Sequence, residues 1–431
     1  MEYGKYMLLI YLAAGTVRTC NYIMNTCYRA GGEAIFGTVL EIICLYTISV
    51  PATWVAGMVL HLPFLAVFAF LYTDELIRMA HDMDDKPPKR EMDMLFTIGE
   101  QMSVALMAMA MDSMGVPAVS LNAFQVAMHT TSAHGSARLK KIDAARIRRE
   151  LDNRRIVVVT GFQGIDKYND YTTLGRGGSD TTAVALAAAL HADACEIYTD
   201  VDGVYTCDPR VVKDAKKIQT LSYDEMLEMA SNGSKVMQSR SVEFAKKFGV
   251  VFEVRNSMNN NPGTIVQEET PSMEAVVIRG ISIDRNQARV TITGIPDQIG
   301  YTAQILGALA EAEINLDMIL ANTAHDGYVR QSFTMPSNEL GRAQAALKPV
   351  MAALGSTVKV ETEAGLAKLS LVGIGMRSHS GVGATAFKAL ADANIKTGMI
   401  STSEIKIAVM VDESDIEEAA RVVHKAFNLG A

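Results

Sequence analysis

The sequence predicts an α/β protein with a hydrophobic helical segment at its start and a duplicated small α/β module at its end. Residues 42–73 contain no Asp, Glu, Lys or Arg. Strand and helix patterns alternate between residues 118 and 254, and two similar stretches follow about 80 residues apart. A chain of 431 residues is expected to form two to four structural units.

The first 72 residues differ in composition from the rest, because they hold only three basic and three acidic side chains. A bilayer core requires about 20 apolar residues in a helix, so the run at 42–73 is long enough to span once with tilt. Two short hydrophobic helices, broken near Pro51, also fit. The alternative is a buried soluble helical pair. A cleaved signal peptide is disfavoured, because the run lies far from the start and no small-residue cleavage site follows. We expect membrane insertion of this segment.

Charge and cysteine usage exclude other classes of protein. A net charge of −8 without a basic stretch argues against a nucleic-acid partner. The five cysteines form no metal-ligand or disulfide pattern, so free thiols in a reducing compartment are expected, namely Cys20, Cys27, Cys44, Cys195 and Cys207. This predicts a cytoplasmic location for residues 73–431.

The central region follows an α/β pattern with a largely parallel sheet. Helical patterning at 73–83 is broken by a polar stretch with two prolines, and a long Met- and Ala-rich helix is expected at 94–114, its methionines packing in a core. The other predicted strands are 118–121, 156–160, 194–199 and 250–254, and the helices are 143–151, 181–190, 223–230 and 239–248.

The last third of the chain repeats itself. ARVTITGI (288–295) matches AKLSLVGI (367–374), and ALAEAEIN (308–315) matches ALADANIK (389–396). Each copy reads strand, helix, strand, strand, helix, and the first closes on a strand near 356–361, which is the ferredoxin-like βαββαβ order. A period near 80 residues is too long for a solenoid.

The strongest chemical signal is TTLGRGGSDTTAVALAAAL, residues 172–190. Three glycines in four positions let the backbone approach a ligand closely. Ser179 or Asp180 is expected to cap a helix that starts at Thr181, whose N–H groups suit an anion. Arg176 is placed to bind a carboxylate through its guanidinium. The alternative is an ordinary glycine-rich turn.

A second block, CEIYTDVDGVYTCDPR (195–210), predicts a nucleotide site. Its strand ends at Thr199 and Asp200, and ligands collect at the carboxyl ends of strands in open α/β sheets. A calcium loop is excluded, because no Glu stands at the twelfth position. Tyr205 is expected to stack or hydrogen-bond, and Arg210 to neutralise phosphate.

Two further candidates are weaker. Lys235 follows a glycine turn in MASNGSKVMQSRSVEFAKK, although a lone lysine is usually a solvated surface residue. Glu100, in REMDMLFTIGEQ, is placed to hold a substrate ammonium group. The alternative is an ordinary first-turn glutamate, which the helix dipole favours.

Residues from about 73 to 431 resemble a bacterial aspartate kinase of the lysine-sensitive or jointly threonine- and lysine-inhibited type. REMDML, TIGEQ, VVTGFQG, TTLGRGGSDTTA, CEIYTDVDGVYT, DPR, SYDEM, SVEFA, NPGT and ISTSEI stand in the order of that family. The resemblance implies an amino-acid-kinase αβα sandwich at 73–275 and ACT domains at 281–362 and 363–431. It implies transfer of the ATP γ-phosphate to L-aspartate with Mg²⁺, no tightly bound cofactor and no protein metal site, and a homo-oligomer joined through the ACT domains.

The family's functional positions map onto this chain by motif. The resemblance implies that aspartate is held by Glu100, Arg176 and Ser179, and that Arg176 and Asp180 serve catalysis. It implies an ATP site formed by Thr199, Asp200, Tyr205, Arg210 and Lys235. Lysine or threonine as effector is expected at Asp297, Gly300, Asn315, Asp317, Ser401, Thr402 and Glu404.

Two opening strands of the family are missing, the first ending in Lys-x-Gly-Gly-Thr/Ser and the second, after a helix, in Ser near a glycine. The family opens with a strand ending in Lys-x-Gly-Gly-Thr/Ser, whose lysine faces phosphate, and the nearest stretch here is Arg-Ala-Gly-Gly-Glu at 29–33. Glu33 would repel phosphate, so the sandwich is expected to be incomplete and kinase turnover weak or absent. An inert lysine- or threonine-sensing regulatory protein and a membrane-tethered fusion are the alternatives.

Residues 1–72 instead resemble the last helices of a multidrug and toxin extrusion (MATE) transporter. The turn at 29–32 and the breaks at Pro51 and Pro63 carry the resemblance. About three helices of a twelve-helix fold are covered, so this segment is not expected to transport anything alone.

Overall fold

The computed structural model describes residues 76–430, apart from residues 235, 272, 274, 275, 326 and 356. The predicted membrane segment therefore lies outside the described residues. The chain forms two compact units. The first holds the described residues up to Leu121 together with Arg154–Val158, and the second holds Asn122–Asn153 and the chain from Val159 onward.

Helices and strands alternate through most of the described chain. Residues 76–83 are helical. The helices from residue 89 onward are α1 Lys89–Ser113, α2 Ala145–Asp152, α3 Gly178–Leu190, α4 Tyr223–Ser231, α5 Ser239–Phe248, α6 Tyr301–Glu311, α7 Leu340–Leu354, α8 Val382–Asp392 and α9 Ile416–Ala426. The strands are β1 Ala118–Leu121, β2 His129–Thr130, β3 Leu139–Lys141, β4 Ile156–Val159, β5 Gln163–Ile165, β6 Tyr171–Thr173, β7 Glu196–Thr199, β8 Thr220–Ser222, β9 Phe252–Asn256, β10 Thr264–Gln267, β11 Gly280–Pro296, β12 Ile319–His325, β13 Tyr328–Pro336, β14 Lys359–Val372, β15 Ile400–Thr402 and β16 Lys406–Asp412.

In the first unit, the predicted long helix is confirmed as α1, which begins directly after Pro88. The expectation that its methionines pack in a core is wrong for Met94, Met107 and Met109, each more than a third exposed. The fully buried positions of α1 are mostly small or polar. Within the described chain, α1 is also the helix long and apolar enough to cross a membrane. Core helices of soluble proteins pass the same test of length and composition, so this is weak evidence for a membrane span.

The second unit begins with what we call the front part, residues 122–153 and 159–267. The four predicted shorter helices are present here, as are the predicted strands β7 and β9; the other two predicted strands, β1 and β4, pair in a two-stranded sheet, and β1 and most of β4 belong to the first unit. One sheet has the order β7-β9-β10-β8, with β7–β9 and β10–β8 parallel and β9–β10 antiparallel. A second sheet, β3-β2-β5-β6, is built from strands too short for the sequence pattern to show.

The remaining part, residues 280–430, we call the repeat pair. It forms one six-stranded sheet in the order β12-β13-β11-β14-β16-β15, covered by α6, α7, α8 and α9. The predicted strand that closes the first copy is confirmed as the start of β14. Each copy packs its own apolar core, with Phe333 and Leu309 in the first and Leu369 and Val409 in the second.

Strand register reveals how the two copies are joined. Residues 287–293 of β11 pair with the first half of β14, within the first copy. Residues 280–284 of β11 pair with 368–372, next to β16 of the second copy. The fourth strand of the second copy is therefore supplied by chain that precedes the first copy, whereas the predicted bounds assign it to the first.

Front part and repeat pair share buried contacts. Cys207 and Val212, which belong to the predicted nucleotide block and its continuation, lie in the same apolar core as Leu371, Val411 and Val423 of the second copy. Burial raises the pKa of the Cys207 thiol to about 12, so it is protonated at neutral pH. The nucleotide block is thus packed directly against the second copy.

Candidate functional site

The glycine-rich loop turns sharply between β6 and α3. Gly175 and Gly177 have φ values of 80° and 66°, a region that L side chains rarely adopt. A Cβ on Gly177 would lie 1.7 Å from Cγ of Gln238. The guanidinium of Arg240 fixes the loop by donating to the carbonyl of Leu174 at 2.7 Å. The positive φ and the close approach of Gln238 together require glycine at position 177.

The prediction that Ser179 or Asp180 caps a helix starting at Thr181 is wrong. Helix α3 begins at Gly178, and its N-cap is Gly177 in the left-handed region, without a side-chain cap hydrogen bond. Ser179 and Asp180 consequently occupy the first turn, where their side chains are available to a ligand. The left-handed glycine starts the helix three residues earlier than expected.

The predicted substrate residues Arg176, Ser179 and Asp180 lie together at this turn. Arg176 and Ser179 are exposed, and Asp180 is half-buried. Burial raises the pKa of Asp180, while an N–H bond from the Gln238 backbone lowers it in part. The cluster offers a cation, a hydroxyl and the start of a helix to an anionic group.

A loop that sequence reasoning gave no role lies over this helix start. A Cβ on Gly161 would lie 3.2 Å from Cβ of Ser179. The backbone N–H of Phe162 donates to the Thr182 hydroxyl at 3.1 Å. The motif VVTGFQG marks this loop in the sequence, and its glycine is the available signal for a close approach.

Glu100 belongs to the first unit. The expectation that it stands in the first turn of the long helix is wrong, because α1 begins at Lys89 and Glu100 lies near its middle. Its carboxyl is half-buried, and this burial raises its pKa. Lys235 lies outside the described residues.

The predicted nucleotide residues follow the carboxyl end of a strand. Thr199 ends β7 beside Asn256, which ends the parallel strand β9, and the Thr199 hydroxyl donates to Asp200 at 3.1 Å. Asp202 accepts hydrogen bonds from the amides of Asn256 and Asn259 at 2.6 and 2.8 Å, and both lower its pKa. These residues form a polar edge where β7 and β9 end. The sequence analysis predicted Thr199 and Asp200 for this edge but missed Asn256 and Asn259.

Tyr205 and Arg210 differ in their surroundings. Tyr205 is half-buried, and burial together with the charge of Asp202 raises the pKa of its phenol. The Arg210 side chain is 87% exposed and binds Asp208, donating at 3.0 Å through Nε and 2.8 Å through Nη2. A phosphate group would compete with Asp208 for this guanidinium.

The predicted effector residues fall in two groups. On the second copy, Thr402 and Glu404 line a cavity of about 460 Å³, whereas Ser401 does not. The rest of its lining is Met376, Arg377, His379, Gly381, Val382, Gly383, Ser403 and Ile407. Arg377 bridges to Glu404 at 3.4 Å. The internal repeat could have located this lining, because Gly381 and Gly300 are the N-cap residues of α8 and α6, with φ values of 90° and 100°.

The first-copy residues of the effector prediction line neither this cavity nor a second one of about 400 Å³ on the sheet face. Asp297 and Gly300 are exposed in the loop before α6, and Asn315 is exposed before β12. Asp317 is held by Lys368 of the second copy. The structure thus places these four residues apart from Thr402 and Glu404.

Comparison with known proteins matches two separate regions of the chain to two families. Residues 71–256 match the amino acid kinase family, and residues 369–427 match an ACT domain. Among solved structures, E. coli aspartokinase III in complex with aspartate and ADP (R-state) has a TM-score of 0.68 and 28% identity, covering 82% of this chain and 79% of that one. The same enzyme with lysine and aspartate (T-state) gives a TM-score of 0.62 with 29% identity, and the coverage is 82% and 79%.

Two curated relatives are more similar in sequence. The aspartate kinase of Stutzerimonas stutzeri is 49% identical over 360 residues, which is 83% of this chain and 87% of the relative. The aspartokinase of Corynebacterium efficiens is 49% identical over 364 residues, 83% of this chain and 86% of the relative. With the glycine-rich turn, the polar strand edge and the paired ACT copies in their order, the chain belongs to the aspartate kinase family.

Proposed function

We propose that this protein transfers the γ-phosphoryl group of MgATP to the side-chain carboxylate of L-aspartate, and that its ACT domains regulate the transfer. The observation that carries the proposal is the turn at Gly177, which places Arg176, Ser179 and Asp180 side by side at the start of α3. This cluster suits an anionic amino acid, and the edge at Thr199 and Asp200 suits a nucleotide.

In the proposed reaction, Arg176 binds an aspartate carboxylate and Ser179 donates a hydrogen bond to it. An oxygen of the side-chain carboxylate forms a bond to the γ-phosphorus, and the bond from that phosphorus to the bridging β–γ oxygen breaks. ADP takes the electron pair, and the product is 4-phospho-L-aspartate. Mg²⁺ enters with ATP as part of the substrate. Positioning and charge neutralisation supply most of the acceleration.

Because the Lys-x-Gly-Gly strand is missing, we predict that turnover is weak. The comparisons with relatives do not support such a loss of activity. The test is a coupled assay of the purified full chain that measures ADP release dependent on aspartate, alongside calorimetric titration with ATP. Turnover near that of an ordinary kinase would overturn the expected weakness. Absence of both ATP binding and turnover would overturn the proposed function.

A second candidate is an amino-acid sensor whose kinase half is inert. The cavity that contains Arg377, Thr402 and Glu404 favours it, since an amino acid offers a carboxylate and an ammonium group to such a pair of charges. Calorimetry with lysine and threonine, alongside an ATP titration, separates the two, because an inert sensor binds an effector but does not bind ATP or show aspartate-dependent turnover. A homo-oligomer joined through the ACT domains, a cytoplasmic location for residues 73–431 and membrane contact through residues 1–72 belong to the proposal as well.

A further inference from the structure

A buried imidazole that the proposed reaction does not use lies against the nucleotide block. His424, on α9 of the second copy, is 1% exposed, and its Nε2 lies 2.9 Å from the hydroxyl of Thr206. Thr206 directly follows Tyr205, one of the predicted nucleotide residues. The contact joins positions 218 residues apart and connects the regulatory half of the chain to the nucleotide block.

The hydrogen bonds around the Thr206 hydroxyl determine which ring nitrogen of His424 carries the proton. The hydroxyl accepts from the backbone N–H of Lys216 at 3.0 Å and lies 3.3 Å from the carbonyl of Leu429. A hydroxyl has one proton and two lone pairs. If it donates to Leu429, its second lone pair accepts from a protonated Nε2 of neutral His424, and all four groups are satisfied. We therefore assign His424 the Nε2–H tautomer.

The backbone of Thr206 is held from both sides. Its N–H donates to the Lys216 carbonyl at 2.8 Å, and its carbonyl accepts from the Ile281 N–H on β11 at 2.7 Å. Ala215 forms an isolated bridge with Gly430, just after α9. The segment around Thr206 is thus fixed largely by the repeat pair, because Ile281, His424, Leu429 and Gly430 all belong to it.

We propose that His424 is a positioning residue for ATP binding, which holds Thr206 and through it Tyr205 and the turn at Arg210. This inference rests on the proposed function, since it takes residues 199–210 as the nucleotide site. It assigns the second copy a direct part in shaping that site. Ile407 lines the effector cavity and packs in the same apolar core as Cys207, so the cavity and the nucleotide block are connected through one buried cluster of side chains.

The test compares two identical substitutions in the full chain. Thr206→Val removes the hydroxyl that faces His424. Thr291→Val removes an equally buried hydroxyl that bonds Ser332 at 3.0 Å inside the repeat pair, so it is the matched control. We expect Thr206→Val to weaken ATP binding by about three- to tenfold in calorimetry, and Thr291→Val to change it by less than about twofold. L-aspartate affinity should stay unchanged in both.

Variants of the imidazole supply an independent readout. His424→Leu should weaken ATP binding as Thr206→Val does, whereas His424→Gln should restore part of the affinity, because its amide N–H can reach the same hydroxyl. A merely structural role would weaken ATP and aspartate binding together and would not distinguish Leu from Gln. Equal effects of Thr206→Val and Thr291→Val on ATP, or parallel loss of both ligands, overturn the inference.

Hydrogen exchange separates this inference from the proposed function. If the native chain binds no ATP, the proposed function fails, and exchange at residues 203–208 still decides whether His424 holds the segment around Thr206. Faster exchange there in Thr206→Val and His424→Leu, but not in Thr291→Val, supports it, and unchanged exchange overturns it. Thr206→Ser, which retains the hydroxyl, should exchange like the native chain, and exchange as fast as in Thr206→Val would overturn the inference.

Discussion

The ammonium group of Lys368 donates to the carboxylate of Asp317, so a cation of the second ACT copy holds a predicted effector residue of the first. Lys368 is only 2% exposed, and its other acidic neighbour is Asp284 at 3.8 Å. A buried ammonium requires a compensating charge. Asp317 is therefore engaged before any effector arrives, and an effector ammonium would have to share its carboxylate with Lys368.

We predict that Asp317→Asn lowers the free energy of unfolding by about 2–3 kcal/mol, because it leaves the buried ammonium with Asp284 as its single anionic partner. Lys368→Met should cost less, about 1 kcal/mol, because both carboxylates are about one-third exposed and water can solvate them. Urea unfolding of the two variants measures the difference. A larger cost for Lys368→Met would contradict this account of the pair.

Asp180→Asn should raise the thermal midpoint of unfolding while it abolishes turnover. Burial raises the pKa of Asp180, so the charged form at pH 7 weakens the fold relative to an unfolded chain in which the carboxyl ionises freely. We expect a rise of about 1–3 °C and a loss of aspartate-dependent ADP release of at least about 100-fold.

Calorimetric scans and the coupled assay check the Asp180 prediction. Asp208→Asn is the control for the thermal effect, because Arg210 lowers the pKa of Asp208 and the same substitution there should lower the midpoint. Undiminished turnover in Asp180→Asn would remove Asp180 from the catalytic proposal.

Gly177→Ala should reduce turnover more than tenfold and destabilise the fold by about 2 kcal/mol. Both the positive φ and the 1.7 Å approach of Gln238 oppose a methyl group there. Gly115→Ala is the matched control, because Gly115 has a φ of 80° but no atom within 4 Å of an added Cβ. Thermal unfolding and the coupled assay on both variants separate backbone strain from displacement of the loop. Equal losses of activity would argue against the close approach as the cause.

Stability should fall in acid partly through His424. Its pKa is lowered chiefly by burial, and the charge of Asp214 opposes this shift. Since the unfolded chain takes up the proton below about pH 6.5 and the folded chain takes it up only at lower pH, the contribution of His424 is full above pH 6.5 and decreases below it.

Urea unfolding at pH 7.5 and 5.5 tests this pH dependence, with His424→Gln as the comparison. The native chain should lose up to about 1.4 kcal/mol more than the variant between these two values. Identical losses in both proteins would show that His424 does not titrate differently on unfolding.

The repeat and the longer elements could be predicted from the sequence because each carries its own periodicity. The helix at 239–248 and the strand at 118–121 were located to the residue. Short strands such as His129–Thr130 could not be found, since two residues show no alternation. The pairing of residues 280–284 with the second copy was also hidden, because a strand's own pattern does not name its partner.

The site was predictable where a motif concentrates several chemical signals in one stretch. Arg176, Ser179 and Asp180 come together because one glycine turn carries all three. His424 gave no signal, since its partner Thr206 lies 218 positions away and a lone histidine on an apolar helix face is usually a core residue. The two asparagines that bind Asp202 were missed for a similar reason, because they lie 54 and 57 residues further along the chain, at the end of β9 and in the loop after it.

The crossed pairing of β11 and β14 sets an order for folding during synthesis. Residues 280–284 leave the ribosome before the entire first copy, and their partners at 368–372 follow roughly 80 to 90 residues later. At about 5–20 residues per second, this strand remains without its partner for several seconds. The first copy can close in that interval, whereas the second cannot. Completion of the second copy, and with it the seating of His424 against the nucleotide block, must therefore be one of the last events in the maturation of the chain.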